Sequence, residues 1–190
     1  MKKHTTREAW LTAATKALRP LFREAGNDAY PKKLQVSCGW PGGGTRSRIG
    51  ECWSQTCSAN GATEIFISPV VAKPVEVLDI LVHELVHGIV GVEHGHKAPF
   101  RRLAVAVGLT GKMTATVAGP ELKVRLKALA KELGSYPHSE LSRGDRKPQP
   151  TRMIKCECDD CGYICRTTRS WLDAAGPPIC PSCEIKMISK

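Results

Sequence analysis

The chain has 190 residues, 42% of them hydrophobic, enough for one core of ordinary domain size plus an appendage, and this argues against a single large barrel. Lysine and arginine number 28 against 18 acidic residues, a net charge of +10 that favours polyanionic partners without specifying a fold. The uninterrupted apolar runs fall far short of the roughly 20 residues that span a bilayer, and the segment Met1-Lys-Lys-His-Thr-Thr6 is no signal-peptide apolar region, so the expectation is a soluble, cytoplasmic chain with no membrane partner.

Taken in order, Trp10, Leu11, Ala14, Leu18, Leu21 and Phe22 recur at helical spacing and predict a helix over residues 4–25, ended by Gly26. Between Leu34 and Ser68, three short β-type runs start at Leu34, Gly50 and Ala62. They are separated by Pro41-Gly-Gly-Gly and Ala59-Asn-Gly, which predicts a small, mostly antiparallel sheet. Pro74 is placed to open the next helix, with Glu76 in the first turn at the positive end of the dipole, and that helix runs to Gly91. A helical stretch from Lys97 to Val107, a turn around Gly108 and Gly111, and an amphipathic segment from Glu121 to Leu133 follow. Residues 134–150 are polar and proline-rich and read as an extended linker. Residues 151–190 are too few for an independent core and need a staple. The plan is therefore an α+β domain over 1–133, a linker over 134–150 and a small C-terminal domain over 151–190.

The sharpest motif is His83-Glu84-Leu85-Val86-His87. Two histidines four apart on a helix differ by about 40° in azimuth, so both imidazoles reach one ion while the glutamate between them stands beside a metal-bound water as a base. Val77, Leu78, Ile80, Leu81, Val82, Leu85, Val86, Ile89 and Val90 cover nearly the whole circumference and leave Asp79, His83, His87 and Gly91 as the one stripe that is not apolar. Ionisable groups on a buried helix need a partner, and a divalent cation supplies it. The competing reading is a pair of core histidines bonded to backbone. Catalytic zinc takes three protein ligands and leaves a position for water. The metzincin spacing is excluded, because Val90 and Glu93 stand where it needs glycine and histidine. His94 and His96 remain as third ligands.

The residues His83-Glu84-x-x-His87 and Gly95-His96-x-x-Pro99-Phe100, with the upstream runs Gly50-Glu-Cys-Trp and Ile65-Phe-Ile-Ser-Pro, resemble the SprT-like metallopeptidases, a family that includes proteases of DNA–protein crosslinks. The likeness covers residues 4–110 and, more generically, the tail, and the run from Val107 to Val117 is similar to phage-encoded relatives. The resemblance implies a zincin-like fold with His83, His87 and His96 on a catalytic zinc and Glu84 as the catalytic base. It also implies hydrolysis of peptide bonds in a protein substrate, with DNA-bound proteins as a substrate class and DNA as a stimulating partner. Lys97 departs from the glycine that members carry after the third histidine, and His94 and Glu93 are left beside the site or facing solvent. Asp79, one turn before His83, is placed either to orient that ligand or to face a backbone group. The strand Thr63–Ser68 is a candidate edge for an added substrate strand and, equally, an ordinary core strand.

Nine cysteines is an odd count, and their close C-terminal pairs suit thiolate metal ligation in a reducing compartment better than a disulfide framework. Cys158-Asp-Asp-Cys161 and Cys180-Pro-Ser-Cys183 form two knuckles able to hold a structural zinc in a ribbon. Cys156 and Cys165 are rival ligands, disfavoured because Gly162 follows Cys161 where a knuckle turns. Cys38, Cys52 and Cys57 read as small core residues.

Residues 1–133 carry 19 basic and 11 acidic side chains, whereas 151–190 carry six and five, so the cationic excess belongs to the first domain. Tyr163, Arg166, Arg169 and Trp171 either make a base-stacking patch or, in the case of the two aromatics, fill the ribbon core. The run Pro41-Gly-Gly-Gly-Thr-Arg46-Ser-Arg48 lacks the lysine and spacing of a phosphate loop and reads as a hairpin connection. Two rival functions use the same residues: a zinc-stabilised nucleic-acid-binding adaptor with an idle metal helix, and a hydrolase of a non-peptide amide.

Overall fold

A computed structural model describes residues 4–42, 48–142 and 153–189. Part of the glycine-rich run after Pro41 and most of the expected linker, 143–150, lie outside the described residues. The chain is α+β and divides into two compact units, Met1–Ser142 and Arg143–Lys190.

The first unit opens with helix α1 (Arg7–Glu24), where Thr6 accepts the Ala9 N–H at 3.1 Å as N-cap. Its apolar face, from Trp10 to Phe22, is buried as the periodicity predicts. Strands β1 (Leu34–Cys38), β2 (Gly50–Trp53) and β3 (Thr63–Ile67) form one sheet in the order β1-β3-β2. Two expectations need correcting here. The sheet is mixed, since β1 runs parallel to β3 and only β2 is antiparallel to it. And β3 is central, paired on both sides, so the open edge that borders the cleft described below is β2, not Thr63–Ser68. The burial of Thr63, Ile65 and Ile67 is the alternation of a strand whose inner face meets the core.

Helix α2 (Pro74–Val90) has Pro74 in its first turn and ends at Gly91, whose φ of 98° only glycine adopts freely. It buries Val77, Leu78, Leu81, Val82, Leu85 and Val86 against α1 and the sheet in one core. Helix α3 (Ala98–Ala106) follows after a 3-10 turn. The stretch read as a bare turn around Gly108 and Gly111 is a two-stranded hairpin, β4 (Leu109–Lys112) with β5 (Ala115–Ala118), and α4 (Pro120–Leu133) closes the unit.

The first unit also extends beyond Leu133, into residues read as linker. Trp10 donates its indole N–H to the Gly134 carbonyl at 3.0 Å, Tyr136 is buried against Trp10 with ring centroids 5.0 Å apart, and His138 Nε2 lies 2.8 Å from the Pro69 carbonyl. A buried aromatic and two polar ties hold this segment to the core, which its polar composition concealed. The second unit holds a three-stranded sheet in the order β7-β6-β8, from β6 (Ile154–Glu157), β7 (Ile164–Thr167) and β8 (Ile188–Ser189), plus the short helix α5 (Arg169–Ala175). No described helix is long and apolar enough to cross a membrane.

Candidate metal centre and cleft

His83 and His87 project from successive turns of α2, and the reversal through Gly91 and Gly95 brings His96 back over them just before α3 begins. All three present Nε2 to one point: His87 to His96 is 3.1 Å and His96 to His83 is 3.3 Å. Nitrogens at tetrahedral corners around an ion bonded at 2.0–2.1 Å stand about 3.3–3.4 Å apart, so these separations fit zinc. The buried ring of Phe100 from α3 backs all three, with centroids 4.9, 4.4 and 4.9 Å from His83, His87 and His96. Burial, with the neighbouring ring, depresses His83 to about 4, and burial with both neighbours takes His87 to about 3. Burial likewise lowers His96. Neutral imidazoles at physiological pH are what a cation requires. His94 is outside this group and sits with the exposed Glu93, Nε2 to Oε1 3.9 Å.

Glu84 is buried beneath strand β2, and burial, reinforced by Glu51 and opposed by Arg48, raises its carboxyl to about 8. The approach is close enough that a methyl group at Gly50 would collide with the Glu84 carboxylate and with Ile80 Cγ2 (2.6 Å). Glu51 is itself held in place, accepting from the Gly42 N–H (2.7 Å), the Trp53 indole N–H (3.1 Å) and the Arg48 guanidinium.

These groups open on a cleft of about 560 Å³. One wall is β2 with Gly50, Glu51 and Cys52, and the opposite wall is the hairpin from Thr114 to Val117. Along β2, Ser68 donates to the Ile49 carbonyl (2.9 Å), so the antiparallel alternation turns Glu51 and Trp53 toward β3 and leaves the backbone groups of Gly50 and Cys52 on the open edge.

Sequence reasoning missed one contact of the site. His83 Nδ1 is bonded to Thr116 Oγ1 of β5 at 2.7 Å. The orienting role weighed for Asp79 is therefore filled by Thr116. Asp79 faces the backbone N–H of Ala118, and burial raises its carboxyl. No spacing rule links position 83 to 116, and the hairpin was not read as strands.

In the second unit, Cys158, Cys161, Cys180 and Cys183 converge, with every ligand atom within 4.8 Å of the others and Cys161 to Cys180 at 3.6 Å. Tetrahedral thiolates at 2.3 Å stand about 3.8 Å apart. Burial pushes the Cys180 thiol up, but the backbone N–H groups of Ser182 and Cys183, together with hydrogen bonds from Cys161 and Cys158, outweigh it and bring it to about 7. Cys156 and Cys165 lie opposite each other on β6 and β7 and are not part of this group. In the first unit, Cys38 and Cys52 pack on the core, whereas Cys57 is exposed in a 3-10 turn between β2 and β3, contrary to its reading as a core residue. Tyr163 and Trp171 are exposed, so the ribbon core is made of sulfur side chains and not of these aromatics.

Comparison with protein-family models, curated proteins and solved structures finds no match.

Proposed function

We propose that the protein is a zinc metallopeptidase of SprT-like type, with a zincin-like catalytic unit and a zinc-ribbon tail. The observation that carries this reading is the convergence of three Nε2 atoms beside a buried glutamate, in a cleft walled by an open strand edge. Zinc held by three neutral imidazoles polarises a carbonyl and lowers the pKa of water toward about 7. The residues of the chain divide the remaining work. His83, His87 and His96 hold the ion through Nε2. The Glu84 carboxylate accepts a proton from the attacking water and delivers it to the leaving amine. The outward N–H and C=O groups of Gly50 and Cys52 bind an extended peptide as an added strand, which sets its scissile bond across the three histidines. The cationic excess of residues 1–133 supports proteins bound to DNA as the substrate class.

A second reading, a zinc-stabilised nucleic-acid-binding adaptor, is favoured by one observation: Tyr163 (44% exposed) and Trp171 (66% exposed) are available for stacking beside exposed Arg166 and Arg169. Incubating zinc-loaded wild type and Glu84→Gln with a DNA-binding protein, with and without single-stranded DNA, separates the two. Fragments from the wild type alone support the peptidase, and retained DNA without fragments from either form supports the adaptor.

A further inference from the structure

The hairpin β4–β5 is tied to the metal helix by one side-chain hydrogen bond, from His83 to Thr116, and approaches it again one helical turn earlier, beside Asp79. Asp79 and His83 lie one turn apart on the same face of α2, a rise of about 6 Å. Thr116 and Ala118 lie two residues apart on β5, a rise of about 6.6 Å, close to that helical spacing. His83 Nδ1 is bonded to Thr116 Oγ1 at 2.7 Å, whereas Asp79, beside Ala118, leaves its Oδ1 buried without a hydrogen-bond partner. The same strand supplies the cleft wall opposite β2 through Ala115, Thr116 and Val117.

We infer that Thr116 is a positioning residue for the metal site, and that docking of the β4–β5 hairpin and metal occupancy of the three histidines are thermodynamically linked through it. The inference rests on the metal-centre part of the proposed function and not on hydrolysis. A cation at Nε2 fixes the tautomer of His83 with its proton on Nδ1, where it donates to Thr116 Oγ1. Without a cation either nitrogen carries the proton, the Thr116 hydroxyl acting as acceptor or donor accordingly, and the bond loses the charge assistance that a cation at Nε2 lends to the Nδ1–H donor. The coupling is reciprocal: whatever strengthens the tie when metal binds must strengthen metal binding when the tie is made. Outer partners of ligating histidines affect metal affinity by about 10- to 100-fold. Because β5 is a wall of the cleft, the metal-free protein loses definition at the place where a peptide would lie.

The test uses the full chain. Cobalt(II) distinguishes the two sites, since thiolate charge-transfer bands mark the cysteine site and weaker ligand-field bands mark the histidine site. Chelator competition then gives the affinity of each. Thr116→Val weakens metal at the histidine site by 10-fold or more and leaves the cysteine site unchanged, and Thr116→Ser restores binding. Thr110→Val removes a hydroxyl that bonds only within the hairpin, to the Val117 carbonyl at 3.2 Å, and leaves both affinities unchanged, which controls for damage to the hairpin itself. Hydrogen exchange at residues 115–118 slows when zinc is added to the wild type and does not respond in Thr116→Val. Wild-type affinity in Thr116→Val, or exchange at 115–118 that ignores zinc in the wild type, overturns the linkage. A protein that binds zinc and shows the linkage but cleaves nothing retires the peptidase reading alone, and a histidine site that takes up no metal overturns both.

Discussion

At the scale of single residues, Glu84 carries the chemistry and Gly50 makes room for it. Glu84→Gln keeps the shape and burial of the side chain and removes its ability to take a proton, so proteolysis is lost while the zinc content of the histidine site is retained. Gly50→Ala puts a methyl group against the Glu84 carboxylate and Ile80. The expected cost is on the order of 1–3 kcal/mol in thermal or urea unfolding, as for other overpacked sites, accompanied by loss of activity because Glu84 must move. The metal-free protein has two opposed pH dependences. His83 and His87 have folded pKa values depressed to about 4 and about 3, so below pH 6.5 the unfolded chain takes up protons that the folded chain refuses, and stability falls as pH falls from 6.5. Glu84 is raised to about 8, so from pH 4.5 to 8 the folded chain holds a proton that the unfolded chain has released, and stability falls as pH rises. Unfolding in the presence of chelator therefore shows wild-type stability declining between pH 6.5 and 8 relative to Glu84→Gln, and a difference independent of pH would remove the carboxyl from that titration. The ligands were legible because a four-residue helical spacing fixes two of them locally. Thr116 was not, because its contact depends on a strand pairing that sequence spacing does not encode.

At the scale of elements, local signals were followed closely and pairings were not. α1 and α2 obey their apolar periodicity, with Gly26 just past the end of α1 and Pro74 and Gly91 bounding α2. That β3 sits between β1 and β2, parallel to one and antiparallel to the other, is a long-range pairing invisible to local propensity. The two knuckles of the ribbon show the same contrast. Both turn through a residue of positive φ, Gly162 (72°) after Cys161 and Glu184 (56°) after Cys183, and only the first advertises this in its residue type. A side chain in this conformation costs about 1–2 kcal/mol. Glu184→Gly, even after the greater chain entropy of glycine is set against it, is expected to stabilise the zinc-loaded ribbon by about 0.5–1 kcal/mol, measurable as slower hydrogen exchange around Cys180 and Cys183. Unchanged or faster exchange would contradict a strained knuckle.

At the scale of the whole molecule, the two units differ in what holds them together. The first has a continuous core from Trp10 to Tyr136, built on four helices and a sheet, whereas the buried core of the second is Cys156, Cys158, Cys180 and Met187. Two of those four are candidate metal ligands, so removing metal undoes half of what the ribbon has in place of a core. Chelation of the full chain is expected to bring amide exchange in residues 153–189 to near-unfolded rates while the helices of the first unit stay protected. Protection of both units after complete metal removal would contradict a metal-dependent ribbon. The need for a staple was legible from the length and composition of the tail. The attachment of residues 134–142 was not, because one buried tyrosine and two hydrogen bonds to residues distant in sequence decide it.

The most direct measurement is anomalous diffraction at the zinc edge from crystals of the zinc-loaded chain. The expected result is one peak 2.0–2.1 Å from Nε2 of His83, His87 and His96 and a second about 2.3 Å from the four sulfurs of Cys158, Cys161, Cys180 and Cys183. A single peak at the cysteines, with the three imidazoles turned away from a common point, would contradict the metal centre and the hydrolytic function built on it.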